Sequence, residues 1–118
     1  GNAAEFIYPL RDRERRGAVV APRLFATGRY LTYPGSWGAQ PGGVALGTPL
    51  QDGAAAREQL EAQLRGRPDL QKLVYESAGV GPNAWMPSMP RPLLREAVAF
   101  MRERGVRTTV HVSTEAAA

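Results

Sequence analysis

The fold is decided between positions 69 and 113, where the chain reads DLQKLVYES (69–77), a loop broken by glycine and proline, RPLLREAVAFMRERG (91–105) and VRTTVHVS (106–113). Two short apolar runs of strand length flank a segment with Leu93, Leu94, Ala97, Val98 and Met101 at helical spacing. That is the pattern of strand, amphipathic helix, strand. Pro92 suits a first helical turn and Gly105 a helix end, so the spacing predicts strand 70–76, helix 91–104 and strand 107–112. Strands joined through a helix run parallel. The stretch also contains the only lysine, Lys72, and the only histidine, His111. Set at equivalent depth on neighbouring strands, they make a possible metal site, or half of one.

Upstream the same alternation continues. Ala56, Leu60 and Leu64 form an i, i+4, i+8 stripe on a helix over 52–65, with Asp52 as its cap and Gly66 and Pro68 as its end. Before it, 28–50 reads as a long loop that nonetheless holds Tyr30, Tyr33 and Trp37, and Pro22 precedes an expected strand over 23–27. A first helix over 2–16 is capped by Asn2, with Glu5 three residues on and Phe6, Ile7 and Leu10 as its apolar side. Residues 11–16 then carry it into solvent, and Gly17 ends it.

This gives an α/β chain with about three parallel strands alternating with helices. Connections from helix to strand are short, while those from strand to helix are long and aromatic. In parallel α/β folds the working loops lie at the carboxyl ends of the strands, the end that Lys72 and His111 approach. Alternation sets Lys72 on the face of Leu70 and Val74, and His111 on that of Thr109. A buried imidazole is a common ligand for divalent metals. A buried, uncharged lysine amine can take up carbon dioxide as an anionic carbamate able to bridge two ions. Tyr75, Glu76 and Trp85 are candidate substrate contacts, with Glu76 either a general base or the cap of a turn. Plainer roles stand beside each: a hydrogen-bonded core or rim histidine, a lysine at a sheet edge or reaching solvent, aromatics that anchor loops.

Composition sets the outer limits. With 118 residues, 43% apolar and 22% charged, the chain fits one globular domain. No apolar run approaches the roughly 20 residues of a membrane span, and GNAAEFIYPL lacks the pattern of a secretory signal. The absence of cysteine removes thiolate ligands and any clue to compartment, so localisation is left unknown. Net charge +4 and a pI near 10.1 raise the question of nucleic acid. The arginines, however, are spread out and mixed with acids, most densely in LRDRERRG, as on a solvated helix face, and no nucleic acid partner is expected. The missing initiator methionine, and a helix start at Ser113-Thr114-Glu115 with only alanines after it, suggest a piece of a longer chain.

Several segments together resemble the amidohydrolase superfamily, in its imidazolonepropionase-related and prolidase-like branch. LRDRERRGAVVAPRLFATGRYLTYPG is similar to that family's helix, "GPR" strand and glycine-rich loop. DLQKLVYESAG resembles its fourth strand, and RPLLREAVAFMRERGVRTTVHVSTEAAA its fifth-strand unit. The resemblance implies a middle portion of a (β/α)8 TIM barrel, about its third to fifth strands, with Lys72 the carbamylated bridging lysine and His111 a metal-binding histidine. It implies zinc, one ion or two, and hydrolysis of a carbon–nitrogen bond in a small amide, cyclic amide or dipeptide-like substrate. The family's His-x-His pair, further histidine and aspartate have no counterpart here, so the piece alone is expected to be inactive, to need the rest of the barrel and to expose sheet edges. A metal-free member of the same fold is a further possibility. The rival from another class is a complete small α/β module that binds an anion or nucleic acid through its arginines.

Overall fold

The computed structural model describes residues 3–41, 46–78 and 85–113. Three helices and four strands alternate as α1 (Ala4–Arg15), β1 (Tyr30–Thr32), β2 (Gly47–Pro49), α2 (Ala54–Leu64), β3 (Leu70–Val74), α3 (Arg91–Glu103) and β4 (Arg107–His111). All strand pairs are parallel, in the order β2-β1-β3-β4. No helix among the described residues is long and apolar enough to cross a membrane.

The 69–113 stretch folds as its periodicity requires. Leu93, Ala97, Phe100 and Met101 are buried on one side of α3, and they meet Leu73 of β3, Leu31 of β1 and Leu60 of α2 in one core. Both crossover helices therefore cover the same face of the sheet. The end of α3 is a Schellman turn, with Gly105 at φ 72, its N–H donating to Arg102 O and that of Val106 to Met101 O. Gly17 closes α1 in the same way, its N–H donating to Glu14 O and that of Ala18 to Arg13 O.

Three expectations are corrected. The strand expected over 23–27 is irregular: the Ala26 N–H donates to the Asp69 carboxylate and its carbonyl accepts from the Asp69 N–H, which pins this run beside the start of β3 without making it a sheet member. The strands lie instead within the stretch expected to be loop, as β1 and β2, each three residues long, so the sheet has four strands and not three. The helix over 52–65 begins at Ala54 behind Gly53, with no side-chain cap. Asp52 instead accepts from the Tyr33 hydroxyl at 3.4 Å. The expected cap Asn2 and the expected helix start after Ser113 lie outside the described residues.

The first helix also turns a different side inward. Phe6 is 67% exposed, whereas Arg11, expected in solvent, is 1% exposed. Its guanidinium donates to the carbonyls of Arg67 (2.8 Å) and Gly66 (3.3 Å) and pairs with Asp69 at 3.4 Å. Arg15 adds a second ion pair to Asp69. Burial would raise the Asp69 pKa, but the Ala26 N–H, Arg15 and Arg11 together hold it below the usual carboxylate range. Asp69 is thus the tie between α1, the 23–27 run and the amino end of the sheet.

Candidate functional site

The strand register places the singled-out side chains. Lys72 pairs with Thr109 and Val74 with His111, so Lys72 and His111 share a face but stand two residues apart along the strands, not at the equivalent depth expected. It is the face away from the helices. Both line one pocket of about 160 Å³, walled by Tyr30 of β1, Val74 of β3, and Trp37 and Leu46 from the β1–β2 connection.

That connection crosses the open face because of the strand order. The chain steps from β1 outward to β2, then returns past β1 to β3 and on to β4. Crossovers between parallel strands keep one hand, so a step in the opposite direction falls on the opposite face. Trp37 and Leu46 of the β1–β2 connection therefore stand over the pocket on the open face, while α2 and α3 pack behind the sheet.

Tyr30 is set by glycines. A Cβ at Gly47 would lie 2.5 Å from Tyr30 Cε2 and 3.0 Å from Thr32 Cγ2, and one at Gly38 would overlap the Tyr30 hydroxyl. The ring lies between these two backbones and under the Lys72 ammonium, with Nζ 5.6 Å from the ring centre. Burial raises the pKa of the Tyr30 phenol.

Behind His111 lies Glu76, 2% exposed. Its Oε1 accepts the Ala78 N–H at 2.8 Å, and its Oε2 sits 3.6 Å from His111 Nε2. The nearby Ser113 hydroxyl, followed by the backbone N–H groups of Ala78 and Ser77 and the charge of His111, holds the Glu76 pKa below the usual range against the effect of burial. Ser113 stabilises the charge without satisfying Oε2, which is buried with no hydrogen-bond partner among the described residues. Such an orphaned oxygen destabilises the fold unless something answers it, and His111 is the nearest ionisable group. Of the two roles its position suggested, general base or turn cap, Glu76 takes the second through Oε1, while Oε2 faces His111. Its carbonyl accepts from buried Ser36 at 3.4 Å, which ties the ends of β1 and β3 together.

The remaining candidates are not brought to the pocket. Tyr75 alternates to the helix face, packs on the core and accepts from Arg91 at 3.1 Å. Trp85 is 82% exposed and meets the chain through a single antiparallel bridge to Ala78. The sequence did not single out Ser36, and it left Tyr30 as equally a loop anchor or a substrate contact. The signal for Tyr30 was Gly38 and Gly47, spaced to admit a ring.

As ligands for a metal, Lys72 and His111 supply two positions, and Glu76 stands behind the histidine as carboxylates commonly do behind metal-bound imidazoles. Among the described residues no three His, Cys, Asp or Glu side chains form a metal-binding group. The residues present therefore fit part of a coordination shell.

No family model and no curated protein match this chain. The fold is similar to that in a crystal structure of an uncharacterized protein, with a TM-score of 0.76 at 20% identity. The likeness covers 92% of this chain and 30% of that one, so this chain spans less than a third of the solved protein. At this identity the likeness establishes a shared fold: an α/β arrangement with a four-stranded parallel sheet and three helices.

Proposed function

We propose that the chain is part of a metal-dependent amidohydrolase, a portion of a (β/α)8 barrel in a hydrolase acting on carbon–nitrogen bonds. The observation that carries this reading is that Lys72 and His111 line one pocket from adjacent parallel strands, on the face opposite the helices. In a barrel that face would be the interior, and the order β2-β1-β3-β4 would be this chain's departure from a barrel's consecutive strands. The greater length of the similar solved protein agrees with a larger whole. Lys72 and His111 would hold zinc, one ion or two, with the other ligands supplied from outside these residues. The metal would activate water and polarise the carbonyl.

The chain's own groups do the rest. Glu76 Oε2 faces His111 Nε2 at 3.6 Å, which would leave Nδ1 as the nitrogen free to bind a metal. Tyr30, Trp37 and Leu46 give the pocket an apolar wall. A cavity of ~150 Å³ holds a benzene-sized group, and this pocket matches it at about 160 Å³. The substrate is accordingly a small amide or dipeptide-like molecule with an apolar group of that size beside the scissile bond.

The test is zinc titration in bicarbonate buffer, by calorimetry and by mass spectrometry of the intact protein. Expected results are zinc uptake weakened at least tenfold in His111→Ala and in Lys72→Ala, with a carbamate mass on the wild type that is lost in Lys72→Ala. Zinc binding unchanged in both variants would sink the reading.

A second reading has its own observation. The strand order β2-β1-β3-β4 is that at the start of an open doubly wound sheet, where ligands bind at the carboxyl ends of the strands between which the order reverses. That point is between β1 and β3, where Ser36 meets Glu76. A complete small α/β module of this kind would bind without metal. Ligand binding unaffected by chelator, together with a stable monomer, selects it.

A further inference from the structure

At the amino end of the sheet, away from the pocket just described, four arginines face a single cleft. Arg13 and Arg16 come from the end of α1, and Arg65 and Arg67 from the turn after α2. The cleft is about 440 Å³ and is floored by Tyr8, Pro9 and Gly66. It adjoins a hollow of about 300 Å³ that shares Arg16 and Arg67 and adds Arg15. The single carboxylate lining the cleft, Asp12, is committed to Arg11 at 3.0 Å. None of the four arginine side chains has an ion-pair partner among the described residues.

Helix-dipole compensation accounts for arginines in the last turn of α1. It accounts in the same way for Arg65, the C-cap of α2, but not for Arg67, which lies beyond the helix end and faces the α1 pair across the cleft. Their placement is built. Arg67 has φ 49, the left-handed region that disfavours a side chain, and it is the only described non-glycine residue there. Gly66 beside it has to be glycine, because the Tyr8 ring occupies the space a Cβ would need. The fully buried Arg11 then fixes the carbonyls of both Gly66 and Arg67. A strained turn secured by a buried cation thus holds four like charges around one hollow. Such an arrangement repels itself and is relieved by a bound anion.

We infer that this cleft is a binding site for a small ligand carrying a di- or polyphosphate group. Guanidinium forks match phosphate oxygens in pairs, and the volume lies within the ~300–1,000 Å³ range of small-molecule sites. The cleft shares no lining residue with the Lys72–His111 pocket, so the inference stands apart from the hydrolase reading.

The experiment is thermal unfolding of the chain with inorganic pyrophosphate, in the presence of EDTA and at ionic strength held constant with sodium chloride. Expected is a saturable rise in Tm. Direct calorimetry should show affinity falling roughly tenfold for each of Arg16→Gln and Arg65→Gln, neither of which touches the strained position, and unchanged in Arg102→Gln outside the cleft. Three results would overturn the inference: stabilisation by chloride equal to that by pyrophosphate, stabilisation retained in the Arg16→Gln/Arg65→Gln double variant while it still melts cooperatively, or binding of a single-stranded oligonucleotide that pyrophosphate does not displace.

Discussion

Replacing Arg11 with methionine tests the tie at the amino end of the sheet. Methionine keeps most of the apolar stem beside Tyr8 but removes the guanidinium, which stacks 4.8 Å from the Tyr8 ring and donates to Gly66 O and Arg67 O. Removing one partner of a fully buried ion pair costs about 3–5 kcal/mol. Asp69 softens this, because it keeps Arg15 and the Ala26 N–H. The two carbonyls add about 1–3 kcal/mol each where water cannot reach them, and less beside an open cleft. A net loss of about 2–4 kcal/mol is expected from these opposing effects. With m of about 2 kcal/mol/M, the middle of the range for a small domain, the urea midpoint should fall by roughly 1–2 M. Tryptophan fluorescence and far-UV circular dichroism would follow the transition. The cycle with Asp69→Asn should show a coupling of about 1–3 kcal/mol. A loss below about 0.5 kcal/mol, the level of an ordinary surface substitution, with additive double-mutant behaviour, would mean that Arg11 is held in place by the fold rather than holding it.

Gly47→Ala should destabilise the chain by about 1–3 kcal/mol through collision with the Tyr30 ring, and Tyr30→Leu should recover part of the loss; equal stability of Gly47→Ala and wild type by urea titration would count against the clamped ring. Glu76→Gln tests the sign of a pH effect. Because the folded Glu76 pKa is depressed, its ionised form contributes stability that is fully present above the ordinary glutamate value of about 4.3 and is lost as pH falls through the lower folded value. The wild type should therefore exceed Glu76→Gln in stability at neutral pH, with the gap narrowing below that range; a gap that is flat across acid titration refutes the assignment.

The part of this architecture legible in the sequence is the part whose contacts are local and periodic. The stripe through Leu93, Ala97 and Met101 defines α3, and alternation within Leu70–Val74 and Arg107–His111 puts Lys72 and His111 on one face once the strands are parallel. The strands β1 and β2 were hidden because three residues are too few to show alternation, and the glycines that admit Tyr30 read as loop. Arg11 was misassigned for a related reason: in LRDRERRG nothing local distinguishes the one arginine that meets Asp69 from those in solvent. The pairing of Glu76 with His111 depends on the β3–β4 register, and the hydroxyl of Ser113 acts from beyond the end of β4. Neither is written in the spacing of either segment alone.

The strand order also divides the pocket in time. From β3 through α3 to β4 the chain is continuous, and its five-residue pairing can form as soon as that stretch is made. Strand β1 waits: Leu31 finds Leu73 only across the whole of β2 and α2, and β1 and β2 hold each other through three residue pairs. Long loop closure delays such contacts, and short pairings open first in local fluctuations. Amide exchange should therefore be slower in β3 and β4 than in β1 and β2, and the reverse ranking would contradict this division. Lys72 and His111 would then belong to the early, persistent unit and the Tyr30–Trp37 wall to one that detaches more readily, so the pocket can loosen on one side without disturbing the two side chains on the other.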